Sequence, residues 1–303
     1  MLKGQSSRTA EYVALFRALE TQRPVERRVF ADPLASAFLT GPVAVVAALA
    51  RVPGIGALVP LAIDRRVPGP RLSAVARTKV LDEAVEAALG EGTEQLVILG
   101  AGYDSRAYRF RELLRESTVF ELDLPASQEY KRQRVREVIG EAPLNLRYVP
   151  IDFARQDLAA VLRKAGYRRD SRTFFIWEGV TMYLPQEAVL ATLRFVATAS
   201  GPGSAIVFDY EHEKAIRGDH DDEVLRASND RLARLGEPHT FGFPAGSARA
   251  AVSHAGLEVV RELSPQEVTD RYLTRRDGSR LGEERWSNGL CLAQVTGPHT
   301  IVW

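Results

Sequence analysis

Residues 95–124, QLVILGAGYDSRAYRFRELLRESTVFELDL, constrain this chain more than any other stretch. Val97, Ile98 and Leu99 form a short apolar run suited to a strand buried on both faces. Gly100 and Gly102 then permit a tight backbone turn beside a ligand, a helical segment follows, and Val119–Leu122 supplies a second strand. Glu121 and Asp123 stand 21 and 23 residues after Gly100, where a carboxylate can receive two ribose hydroxyls. Asp123, at the carboxyl end of the strand where open α/β sheets bind ligands, is the candidate. The third glycine of a dinucleotide fingerprint, which brings the helix close to a pyrophosphate, is replaced by Ser105. That substitution points away from NAD or FAD and toward a nucleoside without phosphates, S-adenosyl-L-methionine. A Gly-Ala-Gly turn alone occurs in many α/β proteins; the acid that follows it adds the specificity.

With 303 residues, 45% hydrophobic and 26% charged, the chain has the composition of a soluble globular protein, one domain with embellishments. A net charge of +1 provides no global field for nucleic acid or an anionic membrane, and neither is expected as a partner. Cys291 is the only cysteine, which excludes an internal disulfide and a multi-cysteine metal site. Its apolar setting suggests an inert core thiol, and a reducing cytoplasm is the expected location. Lys3, Arg8 and Glu11 break up the amino terminus, so no secretory leader is expected. Residues 41–63 approach membrane length, but Arg51, Pro53 and Pro60 interrupt them, and a short helix followed by an apolar loop is expected.

Residues 1–90 read as a helical cover. Val13, Leu15, Phe16 and Leu19 mark one helix face, and Val75, Val80, Leu81, Val85 and Leu89 mark another. From Gln95 onward strands alternate with helices, at 95–99, 118–122, 146–150, 173–177 and 204–209, before a closing strand pair at 257–263 and 289–295. The alternation predicts an α/β fold over residues 91–303, a doubly wound, mostly parallel seven-stranded Rossmann-like sheet. Between about 210 and 250 a polar stretch interrupts the pattern on the ligand side of the sheet; it reads as a lid, or as a solvated helical hairpin.

Four ordered blocks, VILGAGYDSRAYRF, VFELDLP with the basic EYKRQRV after it, VPIDF and WEGVTMYLP, resemble the leucine carboxyl methyltransferase family of class I methyltransferases. SSRTAEYVALFRALE and VFADPLA are similar to its bacterial branch, which includes O-methyltransferases of polyketide biosynthesis. The resemblance implies S-adenosyl-L-methionine as cofactor. It assigns Arg77 to the methionyl carboxylate, Gly100 and Gly102 to the turn, and Asp123 to the ribose. Asp152 and Phe153 would border the adenine, and Glu178 would lie beside the methionyl amine. A guanidinium fork suits a carboxylate, and a carboxylate suits an ammonium.

Tyr183 and Tyr210 follow the fourth and fifth strands, where hydroxyls could orient an acceptor, though both also read as structural tyrosines. Methyl transfer to a carboxylate needs no base, whereas a phenol needs help, for which His212 and His239 are the candidates. His212, His220, His239, His254 and His299 show no metal-ligand spacing, and no metal is expected. The lid does not match a binder of protein tails, so a small-molecule carboxylate or phenol is the expected acceptor. Residues 56–63 and Phe241–Phe243 could enclose it or belong to the core. An NAD-dependent Rossmann oxidoreductase and a non-catalytic nucleoside-binding partner subunit remain as alternatives.

Overall fold

Two sets of side chains alternate along β1 (Gln95–Leu99), and every residue of this strand is buried. Leu96 and Ile98 pack on one side with Leu15, Leu81 and Val85, while Val97 and Leu99 pack on the other with Leu162, Leu193 and Val252. A strand buried on both faces must lie inside a sheet covered by helices on both sides. The computed structural model describes residues 7–218, 223–274, 278–281 and 288–296. In it β1 is central, flanked by β2 (Thr118–Asp123) and β4 (Thr173–Trp177), both parallel to it.

With β3 (Leu146–Pro150), β5 (Ala205–Glu211), β6 (Glu258–Leu263) and β7 (Asn288–Gln294), the sheet has seven strands in the order β3-β2-β1-β4-β5-β7-β6. Only β7 runs antiparallel to its neighbours. The order reverses between β1 and β4, and the crevice above their carboxyl ends is where such sheets bind ligands. The expected α/β class and seven-stranded sheet are therefore present. Cys291 on β7 is fully buried, and burial pushes its thiol up to about 12, as expected of an inert core residue.

Among the described residues before β1 lie four α-helices, α1 (Arg8–Thr21), α2 (Gly41–Leu49), α3 (Leu58–Arg66) and α4 (Pro70–Gly90), and a short 3-10 turn at Ala35–Phe38. Where an apolar loop was expected after α2, residues 58–66 form a second helix, and the two make a hairpin. Pro60 sits in the first turn of α3, where its missing N–H has no intrahelical partner to lose. After the glycine turn, α5 is a single turn (Arg106–Arg109) rather than a full helix. The longer α6 (Pro125–Val138) follows β2, and α7 (Leu158–Lys164), α8 (Gln186–Thr198) and α11 (Ser247–His254) cover the opposite face. The stretch after β5 contains α9 (Glu213–Arg217) and α10 (Glu223–Arg234).

Candidate active site

Gly100 has φ +69°, and a Cβ there would sit 2.3 Å from a methyl of Val180, so no other residue fits this turn without rearrangement. Gly102 follows at φ +44°, and its amide donates to Oδ2 of Asp123 at 2.5 Å, while the Leu124 amide donates to Oδ1 at 2.6 Å. The carboxylate is thus fixed at the end of β2 by two backbone donors. Burial raises its pKa, and the two amides act against that rise. Ser105, where a third glycine would close on a pyrophosphate, donates from Oγ to Asp32 at 2.7 Å and accepts from Arg109 at 2.9 Å. Its side chain braces the turn from behind.

A cavity of about 1040 Å³ opens above these strand ends. Arg77, Gly100, Gly102, Asp123, Asp152, Phe153 and Glu178 all line it. Asp152 and Phe153 follow β3; Asp152 caps its own turn by accepting from the Ala154 amide at 3.0 Å, and Phe153 is half-buried at the rim.

Beneath the cavity lies a row of buried charges. Arg77, on α4, donates from Nε to Glu178 at 2.9 Å and from Nη1 to Asp209 at 2.6 Å. The two prongs expected to grip a ligand carboxylate are therefore committed to protein carboxylates, and Nη2 is the nitrogen of Arg77 left without a protein acceptor among the described residues. Asp209 also accepts from the Gly179 amide at 2.6 Å, and burial raises its pKa against the pull of Arg77. Glu178 receives Arg106 on its other oxygen at 2.9 Å. Burial acts to raise Glu178, but Arg106 and Arg77 outweigh it and hold the carboxyl below its ordinary range. Glu178 is thus an anion in the cavity wall, suited to a ligand ammonium. Arg106 also meets Asp104 at 2.5 Å and Asp82 at 2.8 Å, bracing the glycine turn.

Of the four acceptor-side candidates, Tyr183 and His239 line the same cavity, and Tyr210 and His212 do not. Tyr210 is buried and donates its hydroxyl to Glu262, and its ring fills the space a Cβ would occupy at Gly289. His212 stands at the N-terminal boundary of α9, where its side chain makes no capping bond, and packs its ring against Tyr210. Phe241 and Phe243 are likewise core, stacked edge to face on each other, with Phe243 against Tyr210. Among residues 56–63, Ile63 alone reaches the cavity. His220 and His299 lie outside the described residues.

The ring of Tyr183 meets that of His239 at 5.1 Å. Burial alone drives the His239 imidazole down to about 4, so it is neutral at ordinary pH, and its Nδ1 lies 3.9 Å from Oε1 of Glu211. Glu237 is buried and accepts from the amides of Arg8 and Thr9 at 3.1 and 3.2 Å, and from the Thr9 hydroxyl. Nearby, the Thr240 and Phe241 amides donate to the Met182 carbonyl at 2.7 and 3.2 Å. The segment after α10 is therefore tied to the start of α1 and to the turn after β4.

Sequence reasoning missed Asp209, Glu211 and Glu237. An acid at the end of an apolar strand was the available signal for the first two; nothing local marks Glu237, which gains its role from a contact 228 residues away.

The family profile for leucine carboxyl methyltransferase matches residues 10–197. A Bacillus subtilis protein whose name places it among S-adenosyl-L-methionine-dependent methyltransferases is 29% identical over 202 residues, 67% of this chain and 66% of that protein. A similarly named Mycolicibacterium smegmatis protein is 33% identical over 240 residues, 75% of this chain and 73% of that one. The chain thus spans just under two thirds of the Bacillus relative. A solved Thermobifida fusca structure described as a methyltransferase superposes with a TM-score of 0.60 at 15% identity, covering 98% of this chain and 97% of that one, and shares the fold.

Proposed function

The chain belongs to the leucine carboxyl methyltransferase family, and on that premise we propose that it binds S-adenosyl-L-methionine above β1 and methylates an oxygen of a small acceptor, a phenol of the polyketide kind. The observation that carries the acceptor reading is the placement of the His239 imidazole, in the cavity wall with its ring against Tyr183 and its Nδ1 3.9 Å from Glu211.

The residues present fit the cofactor. Gly100 and Gly102 leave the turn bare, Asp123 presents a fixed carboxylate to a ribose, and Asp152 and Phe153 border the adenine. Glu178 suits the amine of the methionyl tail, and Nη2 of Arg77 suits its carboxylate. S-adenosyl-L-methionine supplies an electrophilic methyl group on a sulfonium. The chain's own task is to align an acceptor oxygen and exclude water. A phenolic hydroxyl, with a pKa of about 10, must lose its proton as the oxygen–carbon bond forms. The His239 imidazole accepts that proton, and Glu211 steadies the imidazolium as their separation closes to a hydrogen bond.

A carboxylate acceptor would need no base; it would meet Glu211 and Glu237 in the cavity lining, and Arg66 and Arg231 as well. Helix α10 and the residues that follow it to Glu237 serve as the lid, latched by Glu237 onto α1. The test is the product formed from methyl-labelled S-adenosyl-L-methionine with a panel of phenolic and carboxylic aromatics. An alkali-stable methyl ether supports the reading; a methyl ester cleaved by mild alkali overturns the acceptor and leaves the cofactor site standing.

A further inference from the structure

The α2–α3 hairpin has two apolar faces. Val46 and Ile63 turn inward and line the cavity, while Val45, Leu49, Val52, Ile55, Leu58 and Leu61 turn outward and are between 41% and 59% exposed. These are six of the ten exposed large apolar side chains among the described residues. They fall on consistent faces, Val45 and Leu49 one turn apart on α2, Leu58 and Leu61 one turn apart on α3.

The charge around this face is mostly positive. Arg51 and Arg65 are exposed and make no ion pair among the described residues, and Arg27 flanks them across a groove that Arg51, Val52 and Leu61 also line. The hairpin's one acid, Asp64, is held by Arg71 at 2.8 and 2.5 Å and offsets none of them. The chain as a whole carries only +1, so this local excess is a feature of the hairpin.

We propose that the outer face of the hairpin docks on an anionic phospholipid surface, its apolar side chains entering the acyl boundary and its arginines meeting the headgroups. Nucleic acid would match the arginines but leave the leucines and valines in water; a lipid interface satisfies both. No span is needed, and no described helix is long and apolar enough to cross a membrane. The expectation that no membrane takes part rested on the global charge and on the absence of a span, and a surface contact requires neither. Because Val46, Ile63 and Arg66 also line the acceptor cavity, docking would bring a lipid-dissolved acceptor to its wall; this consequence rests on the proposed methyl transfer, and the docking does not.

Sedimentation with phosphatidylcholine vesicles, with and without phosphatidylglycerol, tests the surface directly. The wild-type chain is expected to pellet with the anionic vesicles, at least tenfold more at low salt than with phosphatidylcholine alone. Leu58→Glu/Leu61→Glu should lose that binding at least tenfold while keeping wild-type affinity for S-adenosylhomocysteine. Wild-type protein that stays in the supernatant overturns the proposal, as does a double variant that pellets equally well. A dimer in sedimentation velocity that the double variant dissolves, with no vesicle binding, would assign the face to a second copy of the chain instead.

Discussion

Arg77 and Glu178 stand 101 residues apart in the chain and meet at 2.9 Å in the cavity wall, with Asp209 on the other prong of the same guanidinium. The arginine therefore holds α4, β4 and β5 together before any ligand arrives. Arg77→Lys keeps one charge but cannot serve both carboxylates. It should cost on the order of 3 kcal/mol of stability, because Asp209 is fully buried and loses a partner. Denaturant unfolding measures this. Calorimetry should then show weakened S-adenosylhomocysteine but little change for methylthioadenosine, which lacks the amino-acid tail; equal loss for both would make Arg77 purely structural.

His239 gives a signed pH effect. Its folded pKa of about 4 lies below the ordinary histidine value of about 6.5, so between them the unfolded chain binds the extra proton. Its contribution is complete above pH ~6.5 and falls away as pH drops toward ~4, by up to about 3 kcal/mol. His239→Asn should flatten that part of the stability profile in urea titrations. The variant should also lower kcat on a phenol by roughly 10²–10⁴-fold, the usual range for a general base. A variant with wild-type rate would remove His239 from the chemistry.

Much of this was legible in the sequence because the signals are local. The apolar run at 97–99, the two glycines and Asp123 lie within one strand–turn–strand unit, and each is constrained by its own backbone. The acceptor side was not legible, since its geometry comes from contacts between distant segments. Tyr210 and His212 carry suitable groups near a strand end, yet the pairing of β5 with β7 turns Tyr210 onto Gly289 and Glu262, away from the cavity. Arg77 reads in sequence as free to grip a ligand because its two acid partners, Glu178 just after β4 and Asp209 on β5, lie far along the chain. The second helix of the hairpin was missed because Pro60 reads as a breaker in sequence, and only its place in a first turn makes it harmless.

Glu237 caps the start of α1 from across the cavity, so the segment after α10 is a strap held down by a helix cap. Glu237→Gln should cost about 1 kcal/mol of stability, in line with a lost charged cap. The more telling effect is kinetic: stopped-flow release of S-adenosylhomocysteine should speed up several-fold as the lid loosens. Unchanged release would mean that ligand leaves by a path that does not lift the strap.

Asp123 carries the central claim, that a nucleoside sits above the glycine turn. Removing a hydrogen-bonded charge of this kind costs on the order of 1.5–3 kcal/mol, roughly ten- to a hundredfold in affinity. Calorimetric titration of the wild-type chain and Asp123→Ala with S-adenosyl-L-methionine and S-adenosylhomocysteine is the most direct measurement. One site per chain is expected, with both ligands weakened alike in the variant because the ribose is common to them; no binding by the wild type, or wild-type affinity in Asp123→Ala, would contradict the site.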